Sequence, residues 1–123
     1  MILNFTRRNL EPDMTALVMK GSIHCGPECA RLEREVDGLI AARQTRVIFD
    51  MAGVTHADSA AIGSIIRSLT KLKSAGGALR IAAAHPMIEH SLKLTKVDQL
   101  IEMFPTVDQA AKGFSAGGPV PAR

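Results

Sequence analysis

A serine that directly follows an aspartate stands at the start of a predicted amphipathic helix, and its hydroxyl could carry a phosphate. Asp58 and Ser59 come after an apolar run at residues 47–51 and a short connecting segment. A helix N-terminus leaves backbone N–H groups unpaired and carries about half a positive charge, so it accommodates an anion. A phosphoserine adds roughly −1.5 to −2 charges at neutral pH and can switch a contact surface. The sequence therefore indicates Ser59 as a candidate phosphorylation site.

The same two residues also have a purely structural explanation. Aspartate and serine are favoured at helix starts because their side-chain oxygens accept hydrogen bonds from backbone N–H groups of the first turn. Asp58 and Ser59 could therefore serve only to begin the helix. From the local sequence alone, both interpretations stay open.

Two histidines and two cysteines are expected near the same site and could bind a metal ion or carry out redox chemistry. His24, Cys25 and Cys29 together with His56 would make four ligands of the kind that zinc binds. Their spacing matches no standard zinc finger or ribbon, and the two cysteines are one residue too far apart for a redox Cys-x-x-Cys motif. Cys29 also belongs to the apolar stripe of its predicted helix. We therefore predict no metal and no catalytic residue, while the role of Cys25 stays open.

The bulk properties exclude several classes of protein. The chain has 123 residues, 46% of them hydrophobic and 22% charged, which indicates one folded domain with its own core. Its net charge of +3 is spread along the chain with no long basic run, so nucleic acid is not expected as a partner. No apolar stretch approaches the roughly 20 residues that span a bilayer, and no signal-peptide pattern opens the chain. We expect a cytoplasmic protein with reduced cysteines and no direct insertion into membranes.

Apolar periodicity gives the predicted elements and the fold class. Strands are predicted at residues 2–8, 15–20, 47–51, 79–83 and 101–104, and helices at 27–44, 59–74, 86–95 and 106–113. The order ββαβαβαβα predicts an α/β fold in which helices flank a mixed, mostly parallel sheet. Loops at the carboxyl ends of such strands gather at one edge, and the predicted loops 22–26 and 52–58 belong there. Residues 1–114 form the predicted domain, and residues 115–123, rich in Gly and Pro, a disordered tail.

The helix that begins at Ser59 has two predicted faces. The apolar stripe consists of Ile62, Ile65, Ile66, Leu69 and Leu72, while Ser64, Arg67, Ser68, Lys71 and Lys73 lie on the other face. This second face is interpreted either as an ordinary solvated surface or as half of a docking surface for an acidic partner.

The topology and residues 47–63 resemble the STAS domain, the fold of bacterial anti-sigma factor antagonists. The family pattern is an apolar strand that ends in Asp or Asn, a short loop, and then Asp-Ser-Ser/Thr-Gly-Leu-Gly. Here Asp50 ends the strand, and residues 58–63 read Asp-Ser-Ala-Ala-Ile-Gly. The resemblance extends over about residues 1–114.

The resemblance implies a non-enzymatic regulator without a cofactor. In that family the serine after the aspartate is phosphorylated by an anti-sigma factor that is also a serine kinase. The unphosphorylated antagonist binds that factor and frees the sigma factor, and a serine phosphatase resets the switch. The resemblance implies that Ser59 is the phosphoacceptor. It also implies that Asp58 both caps the helix and helps the kinase to recognise Ser59. We expect a monomer or weak dimer whose partner-binding residues are His24, His56, Asp58, Ser59, Ala60, Ile62, Gly63 and Arg67.

Two departures from the family pattern keep a second function open. Ala60 and Ala61 replace the family's Ser/Thr-Gly, and His24 stands where an acidic residue is expected. The extra methyl group of Ala61 could obstruct a close approach by a partner's backbone. A protonated His24 would favour a phosphate nearby, whereas a neutral His24 would have no such effect. The alternative is a STAS module that does not switch, as a fixed interaction subunit of a signalling assembly or of a membrane-transport complex.

Overall fold

The computed structural model describes residues 3–10, 13–24 and 27–116, and it confirms the predicted order ββαβαβαβα. A short 3-10 helix at Val97–Gln99 precedes the last strand. The strands are β1 (Asn4–Leu10), β2 (Met14–Ile23), β3 (Arg46–Ala57), β4 (Ala78–Ala82) and β5 (Met103–Phe104). The helices are α1 (Pro27–Ala41), α2 (Ser59–Ser74), α3 (Pro86–Leu94) and α4 (Val107–Ala116).

The described strands form one mixed sheet in the order β1-β2-β3-β4-β5. Only β1 is antiparallel to its neighbour, β2; the other three pairings are parallel. Each parallel pairing needs a crossover connection, and α1, α2 and α3 supply these. The predicted α/β class with a mostly parallel sheet is therefore confirmed.

Alternate residues of β3 face opposite sides of the sheet, and both sides are covered. Phe49 is fully buried in the larger core cluster, to which α1 and α2 contribute Leu32, Val36, Ile65 and Leu69. Ile48 is fully buried in a smaller cluster on the other side, with Ala110 of α4. A strand that is covered on both faces has apolar residues in succession rather than in alternation, and residues 47–49 show this pattern.

The predicted loops 22–26 and 52–58 are wrong over most of their described length, because β2 continues to Ile23 and β3 to Ala57. The parallel pairing passes two irregularities, at each of which β3 uses one residue more than β2. At the first of them the Ala52 N–H donates to Asp50 Oδ1 over 3.1 Å, which stabilises the bulged backbone. The edge of the sheet that carries the site is therefore built from paired strands, and among the described residues of the two predicted loops His24 and Asp58 lie just outside them.

The prediction that Ser64 and Ser68 lie on the exposed face of α2 is also wrong, since both side chains are fully buried. Ser64 Oγ lies 3.2 Å from the Cys29 carbonyl oxygen and 3.0 Å from Glu33 Oε2, both on α1. Ser68 Oγ donates to the Ser64 carbonyl oxygen over 2.9 Å. The small side chain of Ser64 thus lies against α1, and both buried hydroxyls are hydrogen-bonded.

The predicted helix ends are largely confirmed. α1 begins at Pro27, and Gly76 adopts a left-handed φ of 82° directly after the α2 cap. Thr106 Oγ1 accepts from the Gln109 N–H at 3.1 Å, as expected for the start of α4. α4 runs to Ala116, past its predicted end, and residues 117–123 of the predicted tail lie outside the described residues. None of the helices described here is long and apolar enough to cross a lipid bilayer.

Candidate functional site

The carboxyl ends of β2 and β3 bring the candidate residues to one place. Ser22 pairs with His56 and Ile23 pairs with Ala57 in the parallel register. The Asp58 N–H then donates to the Ile23 carbonyl oxygen over 3.2 Å. Strand pairing thus fixes where α2 begins relative to the end of β2.

Asp58 caps α2, and Ser59 is the first residue of the helix. The Asp58 backbone is extended, with φ −87° and ψ −177°, and its Oδ1 accepts from the Ala61 N–H at 2.9 Å. This is the usual geometry of an aspartate N-cap, so the predicted cap is confirmed. The Ser59 side chain is not needed for the cap and is exposed. Its hydroxyl therefore lies on the surface at the positive end of the helix.

An imidazole lies beside the capping carboxylate. His24 Nδ1 is 3.9 Å from Asp58 Oδ2, with 57% and 39% of the two side chains exposed. The backbone of His24 is held from the other side, since Cys29 Sγ donates to its carbonyl oxygen over 3.3 Å. His24 is therefore an immediate neighbour of Asp58, the residue that precedes Ser59.

Hydroxyl groups link the two strands just behind the site, and the sequence reasoning missed them. Thr55 Oγ1 lies 3.2 Å from Ser22 Oγ, 3.2 Å from His56 Nδ1 and 3.4 Å from the Gly21 carbonyl oxygen. Thr55 is the extra residue of β3 at the second irregularity. Because that irregularity depends on the pairing of the two strands, no local signal in the sequence could have placed Thr55 there.

The remaining predicted partner-binding residues differ in their exposure. Ile62 is buried in the main core, and Ala60 is partly buried against it. Gly63 is half-buried, and a methyl group added there would meet only the flexible end of Arg67. The Arg67 side chain is 57% exposed, but its Nε donates to Glu33 Oε2 over 3.0 Å. Part of the charge predicted to face an acidic partner is therefore paired within the chain.

The described residues do not bring the four predicted zinc ligands together. Cys25 lies outside the described residues, and Cys29 is buried in the main core cluster. Within residues 3–10, 13–24 and 27–116, no three His, Cys, Asp or Glu side chains are grouped to hold a metal ion. The described site offers a hydroxyl, a carboxylate and two imidazoles on an open surface.

Two glycines near the site are expected to respond oppositely to a methyl group. Gly63→Ala should raise the free energy of unfolding by about 0.5–1 kcal/mol, because alanine is the better helix former and its Cβ would meet only Arg67 Nη1, at 3.4 Å. Gly53→Ala should lower it by about 1–3 kcal/mol, because its Cβ would lie 2.9 Å from the Met19 carbonyl oxygen. Urea unfolding of both variants measures the difference, and equal effects would contradict the described pairing of β2 with β3.

The mixed five-stranded sheet, with an aspartate-capped helix after the third strand, defines the class of α/β domain to which the chain belongs. Residues 12–110 match the profile of the STAS domain, and the chain therefore belongs to the STAS domain family. This confirms the resemblance carried by residues 47–63 and by the order of the elements.

Solved structures share the fold at low sequence identity. A Thermotoga maritima protein described as an anti-sigma factor antagonist has a TM-score of 0.83 at 19% identity, covering 90% of this chain and 94% of that chain. The phosphorylated form of the Bacillus protein SpoIIAA has a TM-score of 0.68 at 13% identity, covering 89% and 97%. The murine anion transporter Slc26a9 has a TM-score of 0.60 at 16% identity, covering 93% of this chain but 22% of the transporter.

Proposed function

We propose that this protein is an anti-sigma factor antagonist that is switched by phosphorylation of Ser59. In its unmodified form it binds a serine-kinase anti-sigma factor through the surface around Ser59, and phosphorylation ends that binding. A serine phosphatase restores the binding form. The protein acts in the cytoplasm as a monomer or weak dimer and catalyses no reaction itself. The observation that carries the proposal is the exposed Ser59 hydroxyl at the capped N-terminus of α2.

The electrostatics of the site support a serine that can be modified without unfolding the domain. Asp58, rather than Ser59, supplies the side-chain cap, so a phosphate on Ser59 would break no described hydrogen bond. The helix N-terminus favours negative charge by about 0.3–1 kcal/mol in exposed positions. The phosphorylated form of SpoIIAA, which shares the fold, is a precedent for a modified state of this domain.

Burial of Ala61 removes one objection to the switch. The family pattern has glycine at this position, and a methyl group there could obstruct a partner. However, Ala61 is fully buried within the main core cluster. Its methyl group therefore fills the interior under the first turn of α2 and does not project from the surface that a partner would meet.

The kinase experiment tests the proposal directly. The protein is incubated with ATP and the serine-kinase anti-sigma factor encoded nearest to it, and its intact mass is measured. We expect the gain of one phosphoryl group, which Ser59→Ala abolishes. Ser74→Ala is the matched control, because Ser74 is an exposed serine at the opposite end of the same helix. No mass gain in the wild type, or an equal gain in Ser59→Ala, would contradict the proposal.

The second candidate function is a STAS module that binds its partner without switching. Two observations favour it: Arg67 is paired with Glu33 within the chain, and the fold also occurs within the much longer anion transporter Slc26a9. Such a module would contact a signalling assembly or a membrane-transport complex in one fixed state. The two candidates predict different effects of a negative charge at position 59.

A further inference from the structure

His24 is held beside the residue that precedes Ser59 by contacts on both sides. The Cys29 thiol donates to its carbonyl oxygen over 3.3 Å, and its Nδ1 lies 3.9 Å from Asp58 Oδ2. The neighbouring Ile23 carbonyl oxygen accepts from the Asp58 N–H at 3.2 Å. These bonds hold the backbone at the end of β2 against the start of α2, and the imidazole lies beside the residue that precedes Ser59.

A phosphate on Ser59 would create a local excess of negative charge. It would add roughly −1.5 to −2 charges next to the Asp58 carboxylate, and the half charge of the helix N-terminus offsets only part of that sum. The helix α1, which packs against α2, carries Glu28 in its first turn and adds no basic side chain there. Because the Asp58 carboxylate and the phosphate would be on adjacent residues, their repulsion disfavours the fully ionised phosphate unless a cation lies nearby.

Few described groups near the site can supply that cation. Arg67 already donates to Glu33 at 3.0 Å. His56 Nδ1 lies 3.2 Å from Thr55 Oγ1 at the end of β3. His24 faces the Asp58 carboxylate itself and is more than half exposed, so its ring can turn from that carboxylate towards a new anion next to it.

We propose that His24 is the counter-ion of a phosphate on Ser59, which its protonated imidazole binds in place of Asp58. This inference rests on the proposed function, since it concerns the phosphorylated form of the same site. It makes the phosphorylated state depend on the protonation of one side chain. The ionic contact between His24 and a phosphate at position 59 is stronger in mildly acidic conditions, where the imidazole is protonated, than in alkaline ones.

The experiment installs phosphoserine at position 59 during translation, so that it needs no kinase, and follows the phosphate by phosphorus NMR between pH 4 and 9. The midpoint of the second phosphate ionisation should be lower in the His24 protein than in His24→Asn by about half a pH unit. His24→Lys should keep the low midpoint, because any cation at this position stabilises the dianion. His90→Asn, a matched substitution of an exposed histidine on α3, should leave the midpoint unchanged.

Two outcomes would overturn the inference. Equal midpoints in the wild type and in His24→Asn would show that the imidazole does not bind the phosphate. A shift produced by His56→Asn and not by His24→Asn would assign the phosphate to the other histidine. A protein that no serine kinase modifies would contradict the proposed function, while the ionisation midpoints of the installed phosphoserine would still decide the role of His24.

Discussion

Gly77→Ala is expected to lower the free energy of unfolding by about 3 kcal/mol, which would make it one of the most damaging single-methyl changes in the domain. A Cβ at this position would overlap the Thr45 carbonyl oxygen and lie 2.5 Å from Thr45 Cβ. The same carbonyl oxygen accepts from the Ala78 N–H at 2.9 Å, where β4 begins beside β3. Relieving the clash therefore requires the two central strands to separate where their pairing starts.

Gly76→Ala is the matched control, because it places the same methyl group one residue earlier. Gly76 has φ 82°, and an added Cβ would meet no atom within 4 Å. This substitution should lower the free energy of unfolding by about 1–2 kcal/mol, because alanine is strained in the left-handed conformation. Urea unfolding of both variants, analysed with a common m-value, gives the comparison. A Gly77→Ala protein as stable as the Gly76→Ala protein would contradict the described packing of β4 on Thr45.

The fold is predictable from the sequence because its elements carry strong local signals. Val47, Ile48 and Phe49 form an apolar run that suits a strand covered on both faces, and both faces are covered. Asp58 lies at the start of α2 and Gly76 after its end, and the predicted bounds of this helix match the structure. Each of these signals acts within a few residues of chain.

The detail of the site is not predictable in the same way, because it depends on how distant segments pair. Ala52 and Gly53 have low β propensity, so the sequence predicts a loop after Met51. In the structure, β2 pairs with this segment and extends β3 to Ala57. The contacts of His24 with Asp58 and of Ser22 with Thr55 follow from that pairing.

The residues on the exposed face of α2 could also not be predicted from the local sequence alone. Serine is polar, so the sequence predicts Ser64 and Ser68 on the exposed face. Both are buried instead: the Ser64 hydroxyl bonds to the Cys29 carbonyl oxygen of α1, and the Ser68 hydroxyl bonds to the Ser64 carbonyl oxygen of its own helix. Whether a serine faces solvent or a neighbouring helix is decided by that helix, which the local sequence does not specify.

Ser59→Asp should lower the affinity for the serine-kinase anti-sigma factor about 100-fold, if the switch operates as proposed. An unpaired charge in a closely packed interface costs about 2–5 kcal/mol, and tenfold in affinity corresponds to about 1.4 kcal/mol. The same substitution should not destabilise the domain, because Ser59 is exposed and an acidic side chain at a helix N-terminus is stabilising by about 0.3–1 kcal/mol. Loss of binding without loss of stability is the signature of a switch.

Ser74→Asp introduces the same charge at the opposite end of α2 and should have the opposite effects, a small loss of stability without loss of binding. Ser74 is exposed and is the last residue of the helix, where negative charge is unfavourable, so the domain should lose a few tenths of a kcal/mol while binding is retained. Ser59→Ala removes the hydroxyl without adding a charge or disturbing the cap, so it should bind far more tightly than Ser59→Asp. Titration calorimetry without ATP, paired with urea unfolding, separates these effects. If Ser59→Asp binds with unchanged affinity, the surface does not respond to charge at position 59, and the non-switching module is the better description.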